Sequence, residues 1–250
     1  MKTAVVMGAS SGMGLEIARI FLGKGWRVGV AARRTEPRDE LCRQWPERAF
    51  AATIDVNLPD APARLLRLFA DLGGTVDLYV HAAGIGKTNM ELASEIELAT
   101  VETNGLGFTR MVTAVFDHMA AHGSGHIAAI TSIAGTKGLG ATPAYSATKA
   151  FQNCYLQALE QQSAMRRLGI TFTDVRPGFV DTALLGGDHY PMLMDCKTTA
   201  AAIVNAILAH RHVCVIDWRW RLLTSVWRRV PRWWWRRLPV HKLGAVRAKE

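Results

Sequence analysis

The 250 residues suffice for one doubly wound domain with a sizeable core, and no internal repeat or low-complexity linker divides them. Four cysteines (Cys42, Cys154, Cys196 and Cys214) show neither CxxC spacing nor secretory context, so they read as free thiols in a reducing, cytoplasmic setting, with no metal site. The formal net charge of +9 sits at one end: residues 1–210 hold 19 basic and 19 acidic side chains, residues 211–250 hold 11 and 2.

In chain order, the β-branched run Thr3–Met7 predicts a buried strand. The opening MKTAVVM is interrupted by glycine too early for a signal peptide and is needed as that strand. It enters the turn GASSGMG and then a helix whose apolar periodicity runs through Leu15, Ile17, Ala18, Ile20, Phe21 and Leu22. Gly8, Gly12 and Gly14 let backbone approach a pyrophosphate, and the helix N-terminus places a partial positive charge there. Further strand-like runs follow at Val28–Ala32, Phe50–Val56, Val76–Val80, His126–Thr131, Ile170–Arg176 and Val213–Asp217, separated by helical patterns. That alternation predicts an α/β fold, a parallel sheet of about seven strands with helices on both faces.

The string YSATK places Tyr145 and Lys149 at i and i+4, on one helix face, with Ser132 thirteen residues upstream. A phenol ionises near pH 10, so acid/base work at neutrality needs its pKa lowered by roughly 2–3 units, and a neighbouring ammonium is the direct means.

The spacing Gly-x3-Gly-x-Gly, taken with Ser132, Tyr145 and Lys149, resembles the short-chain dehydrogenase/reductase family over about residues 1–217. The resemblance implies a single Rossmann-like domain and a catalytic set of Asn104 (in ETNGLG), Ser132, Tyr145 and Lys149. Asparagine would bend its helix and hold a water near the lysine, serine would bond the substrate carbonyl, tyrosine would protonate the nascent alkoxide, and lysine would depress the tyrosine's pKa and bond the nicotinamide ribose. It also implies a cofactor set: Gly8, Ser10, Ser11, Gly12, Met13 and Gly14 in the turn, Asp55 and Val56 beside the adenine, and Ala83 and Gly84 after the fourth strand. Pro177, Gly178, Val180 and Thr182 in RPGFVDT would meet the nicotinamide carboxamide, with Tyr145 and Lys149 joining them. One departure stands in VHAAG, where His81 and Ala82 replace the two asparagines usual in relatives. His81 reads either as a second base or as a satisfied structural histidine, the commoner case.

The acid that accepts ribose hydroxyls in NAD enzymes is missing after the second strand: Ala32 stands there, followed by Arg33 and Arg34. Guanidinium groups favour a 2′-phosphate, Ser10 can add a hydroxyl bond, and NADP is expected over NAD; the bland reading leaves both arginines as solvated loop residues. Because cells keep NADPH reduced, the expected reaction is NADPH-dependent reduction of a ketone to an alcohol. The non-enzymatic alternative, an NADP-binding regulator or scaffold, is disfavoured because all four catalytic members persist.

The tail beyond residue 217 holds six of the eight tryptophans. Read as a helix from Trp218 to Val230, it aligns Trp218, Leu222, Leu223, Val226, Trp227 and Val230 in one stripe, and Pro231 then precedes a second cluster around Trp233–Trp235. Charges recur too often for a membrane span, while tryptophan and arginine suit a headgroup layer. The expectation for 218–238 is an anionic membrane surface, which would attach the protein peripherally; packing on the domain and a subunit interface compete. Nucleic acid is least favoured, since the neutral body extends no basic patch. The segment Ala183–Cys196 would be a lid, made apolar by Leu184, Leu185, Tyr190, Met192, Leu193 and Met194. Lid and tail together suggest a hydrophobic ketone such as a long-chain 3-keto lipid; reductases of 3-ketosphinganine are similar in joining this chemistry to membrane attachment. A soluble carbonyl or sugar-derived ketone is the rival substrate, and relatives' habits imply a homodimer or homotetramer.

Overall fold

Thr3–Met7 (β1) is buried along its whole length, and its side chains alternate between two cores. Ala4 and Val6 enter one apolar cluster, Val5 and Met7 the other. The computed structural model describes residues 1–185, 190–238 and 240. Around β1 stand β2 (Arg27–Ala32), β3 (Ala49–Thr53), β4 (Leu78–His81), β5 (Gly125–Ile130), β6 (Ile170–Pro177) and β7 (Val213–Ile216). They form one seven-stranded sheet in the order β3-β2-β1-β4-β5-β6-β7, with every pair parallel. Parallel neighbours require crossovers, and α1 (Gly12–Gly23), α2 (Glu36–Gln44), α3 (Ala61–Asp71), α4 (Ser94–Val101), α5 (Phe108–His122), α6 (Pro143–Arg166) and α7 (Cys196–Leu208) supply them.

Ile17, Phe21, Ile203 and Val204 from α1 and α7 fill the first core; Leu65, Phe69, Met111 and Leu156 from α3, α5 and α6 fill the second. The strand order reverses between β1 and β4, and at such a switch point the loops diverge and open a crevice beyond the carboxyl edge.

Every expected strand is present, with most bounds moved by one or two residues. The largest difference is at β3, which stops at Thr53, so Asp55 and Val56 lie in the turn after it.

The tail differs more from its sequence reading. Asp217 caps a helix, α8 (Trp218–Trp227), by accepting from the Arg219 amide at 3.0 Å while holding the Arg219 guanidinium through both Nε and Nη2. The helix ends three residues before the expected Val230, and after Pro231 a short turn, α9 (Arg232–Trp235), follows. The expected single stripe is split. Trp220 and Trp227 are 2% and 9% exposed, whereas Trp218, Leu222 and Val226 are 67%, 62% and 58% exposed. A helix with aromatic residues at 218, 220 and 227 has no single apolar side, and contact with the domain selected the face that carries Trp220. Among the described residues no helix is long and apolar enough to cross a membrane, and all four cysteines are free.

Candidate active site

Ser132 begins a 3-10 turn, Ile133–Thr136, at the carboxyl end of β5, and its Oγ accepts the Ala134 amide at 3.1 Å. Pro143 starts α6 at a position where a missing N–H costs nothing, and one turn of that helix carries Tyr145 and Lys149. The Tyr145 ring lies against Gly86 so closely that a Cβ there would fall 2.6 Å from a ring carbon. Ser132 and Tyr145 share a hydrogen bond. The Lys149 ammonium lies 5.7 Å from the Tyr145 ring centre and donates to the Ile130 carbonyl and to Gln152 Oε1, each at 3.0 Å.

Asn104 stands in a π-helical turn, Glu102–Gly107, that interrupts the run from α4 to α5. Such single wide turns recur at functional sites because they re-aim a side chain. Asn104 is fully buried and clamps Ile85 through both its amide ends, accepting from the Ile85 amide at 2.9 Å and donating to its carbonyl at 2.7 Å. Gln152, 1% exposed, donates to the Asn104 carbonyl at 2.8 Å and so ties the asparagine to Lys149. The four residues therefore fall in two bonded groups, Ser132 with Tyr145 and Asn104 with Gln152 and Lys149, and the Lys149 ammonium stands 5.7 Å from the Tyr145 ring centre between them.

The electrostatics depart from the expectation raised by YSATK. Burial holds the Tyr145 phenol above its ordinary range, and the Ser132 bond draws it only partly back. Lys149 does not depress it in this arrangement: the ammonium is committed to Ile130 and Gln152, and its own pKa is lowered to about 8 by burial, against the support of Asp174. Asp174 is itself buried on β6 and paired with Arg176 at 2.6 Å. His81 is sequestered from solvent. It is 1% exposed, shares a 2.9 Å hydrogen bond with Tyr79, and has its pKa lowered to about 3, first by burial and then by the Lys149 charge.

The turn after β1 fits a dinucleotide. Gly8 has φ of +93°, and a Cβ on it would fall 2.6 Å from the Ala83 amide nitrogen; a Cβ on Gly14 would fall 2.3 Å from the Gly8 carbonyl oxygen. The turn therefore packs at backbone distance against Ala82 and Ala83, where neither Gly8 nor Gly14 could carry a side chain. No side chain caps the N-terminus of α1 and no acid occupies its first turn, so the amides of Gly12, Met13 and Gly14 are available to an anion.

Arg34 reaches into this turn, donating to Ser11 Oγ at 2.6 Å and to Ser10 Oγ at 3.4 Å. Arg33 lies 4.0 Å from Asp55, both on the surface of the groove. Val56 alone of this set turns inward: it packs on Gly107, and Arg110 takes its carbonyl at 2.6 Å. Pro177 ends β6, Gly178 lies beneath the Trp220 indole, and Val180 is buried in a bridge to Met194. Thr182 meets Gly12 across the groove, where a glycine Cβ would be 3.2 Å from its methyl. The Val180–Met194 bridge closes the base of the expected lid, whose residues 186–189 lie outside the described residues.

Sequence reading missed Gln152, Asp174 and Trp220. Gln152 was accessible, being three residues after Lys149 and so on its helix face. Asp174 and Trp220 join the site only through tertiary packing. A cavity of about 360 Å³ bordered by His118, His122, His126 and His210 lies at the amino ends of β4, β5 and β6, away from the two bonded groups.

A parallel doubly wound sheet with a dinucleotide cradle and a serine–tyrosine–lysine cluster at its carboxyl edge defines a Rossmann-type oxidoreductase. The family model for short chain dehydrogenases matches residues 2–189, and the chain belongs to that family. It is 36% identical over 210 residues to a putative ketoacyl reductase of Streptomyces coelicolor, covering 80% of this chain and 79% of that one. A short-chain dehydrogenase from Streptomyces avermitilis superposes with a TM-score of 0.79 at 26% identity, covering 90% and 91% of the two chains. An actinorhodin polyketide ketoreductase variant with NADPH gives 0.75 at 29% identity, covering 86% and 95%. The protein is an oxidoreductase that uses a nicotinamide dinucleotide.

Proposed function

We propose that the protein reduces an apolar ketone to an alcohol with NADPH, the substrate resembling a long-chain 3-keto lipid of the 3-ketosphinganine kind. The observation that carries this reading is the convergence of Ser132, Tyr145, Lys149 and Asn104 beside the Gly8–Gly14 cradle. Gly8, Ser10, Ser11, Gly12, Met13 and Gly14 hold the diphosphate, Ala83, Gly84, Pro177, Gly178, Val180 and Thr182 line the nicotinamide side, and Arg33 and Arg34 grip a 2′-phosphate. NADPH when bound supplies the hydride. Ser132 then holds the substrate oxygen while the Tyr145 phenol gives up its proton to it. A phenol kept protonated by burial is the form that donation requires. Lys149, linked to Asn104 through Gln152, returns the proton. The ketoacyl and ketoreductase names of two similar proteins support a carbonyl flanked by an acyl chain.

The lid contributes exposed Leu184 and Leu193, and the outer face of the tail exposes Trp218, Leu222, Val226, Trp233, Trp234 and Leu238 among arginines. That face suits an anionic bilayer surface, each basic residue adding about 1 kcal/mol. Leu98, Val101, Leu106 and Phe151 are also exposed, on and around α4 and α6, and suit the second copy expected of a homodimer or homotetramer.

The test is loss of the reduced-nicotinamide absorbance with ketones of increasing chain length. Each added methylene that is buried should raise kcat/KM by about four-fold until the site is filled. A flat series, or better turnover of sugar-derived ketones, would transfer the assignment to a soluble carbonyl.

A further inference from the structure

Three consecutive residues downstream of Ser132 are each held by the tail. Trp227 Nε1 donates to Thr136 Oγ1 at 3.0 Å, Lys137 Nζ donates to the Val230 carbonyl at 2.5 Å, and Trp235 Nε1 donates to the Gly138 carbonyl at 2.7 Å. Trp227 and Trp235 meet edge to face at 5.8 Å, and the Lys137 ammonium stands 5.4 Å from the Trp235 ring centre. The Thr136 hydroxyl donates a hydrogen bond to the Ile133 carbonyl, and Ser132 accepts from Ala134, so a bonded path runs through the Ile133–Ala134 peptide from the tail back to the serine.

On the other wall, the Trp220 indole covers Gly178 so tightly that a Cβ there would fall 2.2 Å from its Nε1, and it meets Phe179 edge-on at 5.3 Å. One peptide segment therefore braces the loops that leave β5 and β6. Rings alone would suffice to cover apolar surface; hydrogen bonds to residues 136, 137 and 138 set position as well. The segment 133–138 needs such support, since a single 3-10 turn is all the regular structure it has.

We propose that Trp227, Trp235 and Lys137 are positioning residues that fix the 133–138 segment and so keep Ser132 aimed at Tyr145. This rests on the reading of Ser132 and Tyr145 as the carbonyl-binding and proton-donating pair. A reacting group loses most of its effect when it drifts by about 1 Å.

The experiment compares the full chain with Trp227→Phe, Thr136→Val, the double variant, Lys137→Met and Lys137→Arg, using ethyl 3-oxohexanoate and NADPH. Trp227→Phe keeps a ring and removes one donor. It and Thr136→Val should each lower kcat by about five-fold, the scale of one hydrogen bond, and the pair together should lose no more than either alone. Affinity for NADPH, read by nicotinamide fluorescence, should stay within about two-fold, as a carbonyl-site effect requires. Lys137→Met should lose activity and Lys137→Arg should regain it.

Amides of 133–138 should exchange hydrogen faster in Trp227→Phe, and the limb of the kcat–pH profile set by Tyr145 should move to higher pH as the Ser132 bond loosens. Unchanged kcat and exchange in both single variants would overturn the proposal, as would additive losses or a fall in kcat that only follows weakened NADPH binding. Tyr145→Phe in the same assay separates the two ideas. If it turns over normally, the reading of the site fails; if it is dead while Trp227→Phe is fully active, only the positioning role fails.

Discussion

At one end of the cleft Arg33 and Arg34 stand in solvent with surface partners; at the other, Ser132 is buried and Asn104, Lys149 and Gln152 are buried and bonded in series. An exposed arginine can be exchanged at little cost to the fold, because water replaces its contacts. A buried polar network has no such freedom, since each member removed leaves a partner unsatisfied in a dry environment. Under the proposed function, selectivity between cofactors falls at the exchangeable end and proton transfer at the end that cannot vary.

The largest expected effect falls at the buried end. Tyr145→Phe should lower kcat by about 10³-fold with NADPH affinity held within about two-fold, measured by steady-state kinetics and fluorescence titration. Retained turnover would remove the tyrosine from the reaction. At the exposed end, Arg33→Asp should reverse the ratio of kcat/KM for NADPH over NADH, a shift of about 100-fold for a lost charge-assisted bond and a new repulsion, with the melting temperature unaltered. An unchanged ratio would make both arginines ordinary solvated side chains.

The tail carries the same contrast between its two faces. Replacing outward Trp218 and Trp233 together with alanine should weaken co-sedimentation with phosphatidylserine vesicles by about ten-fold while leaving kcat on a short ketone alone. Equal sedimentation of variant and parent would refute the membrane reading.

The smallest effect concerns His81. With a folded pKa of about 3, against about 6.5 when unfolded, the unfolded chain takes up a proton that the folded chain refuses. Stability therefore falls as pH drops from 6.5 towards 3, by up to about 1.4 kcal/mol per unit. His81→Asn abolishes that uptake, so the stability gap between parent and variant in urea should shrink by about 2 kcal/mol between pH 7 and pH 5. Parallel behaviour at the two pH values would show that the ring titrates normally.

Much of this architecture was legible beforehand because its signals are local. Strands buried on both faces read as short apolar runs, and YSATK places its two residues on one helix face by periodicity alone. Other features were not legible for equally physical reasons. Whether Lys149 lowers the Tyr145 pKa depends on which acceptors the ammonium finds, and it finds Ile130 and Gln152. Which side of α8 is buried depends on the surface it meets, and Gly178, having no side chain, leaves room for the Trp220 ring.

Taken alone, the order of residues determined the doubly wound sheet, the glycine turn, the family and the placing of Tyr145 and Lys149 on one helix face, because each follows from spacing along one strand, turn or helix. The tertiary structure alone decided the proton affinities and the joining of Asn104 to Lys149. It also decided the division of the tryptophan-rich tail into an outward face and one braced against the loops after β5 and β6. Desolvation and side-chain contact depend on distances between segments far apart in sequence, and those distances exist only once the chain has closed on itself.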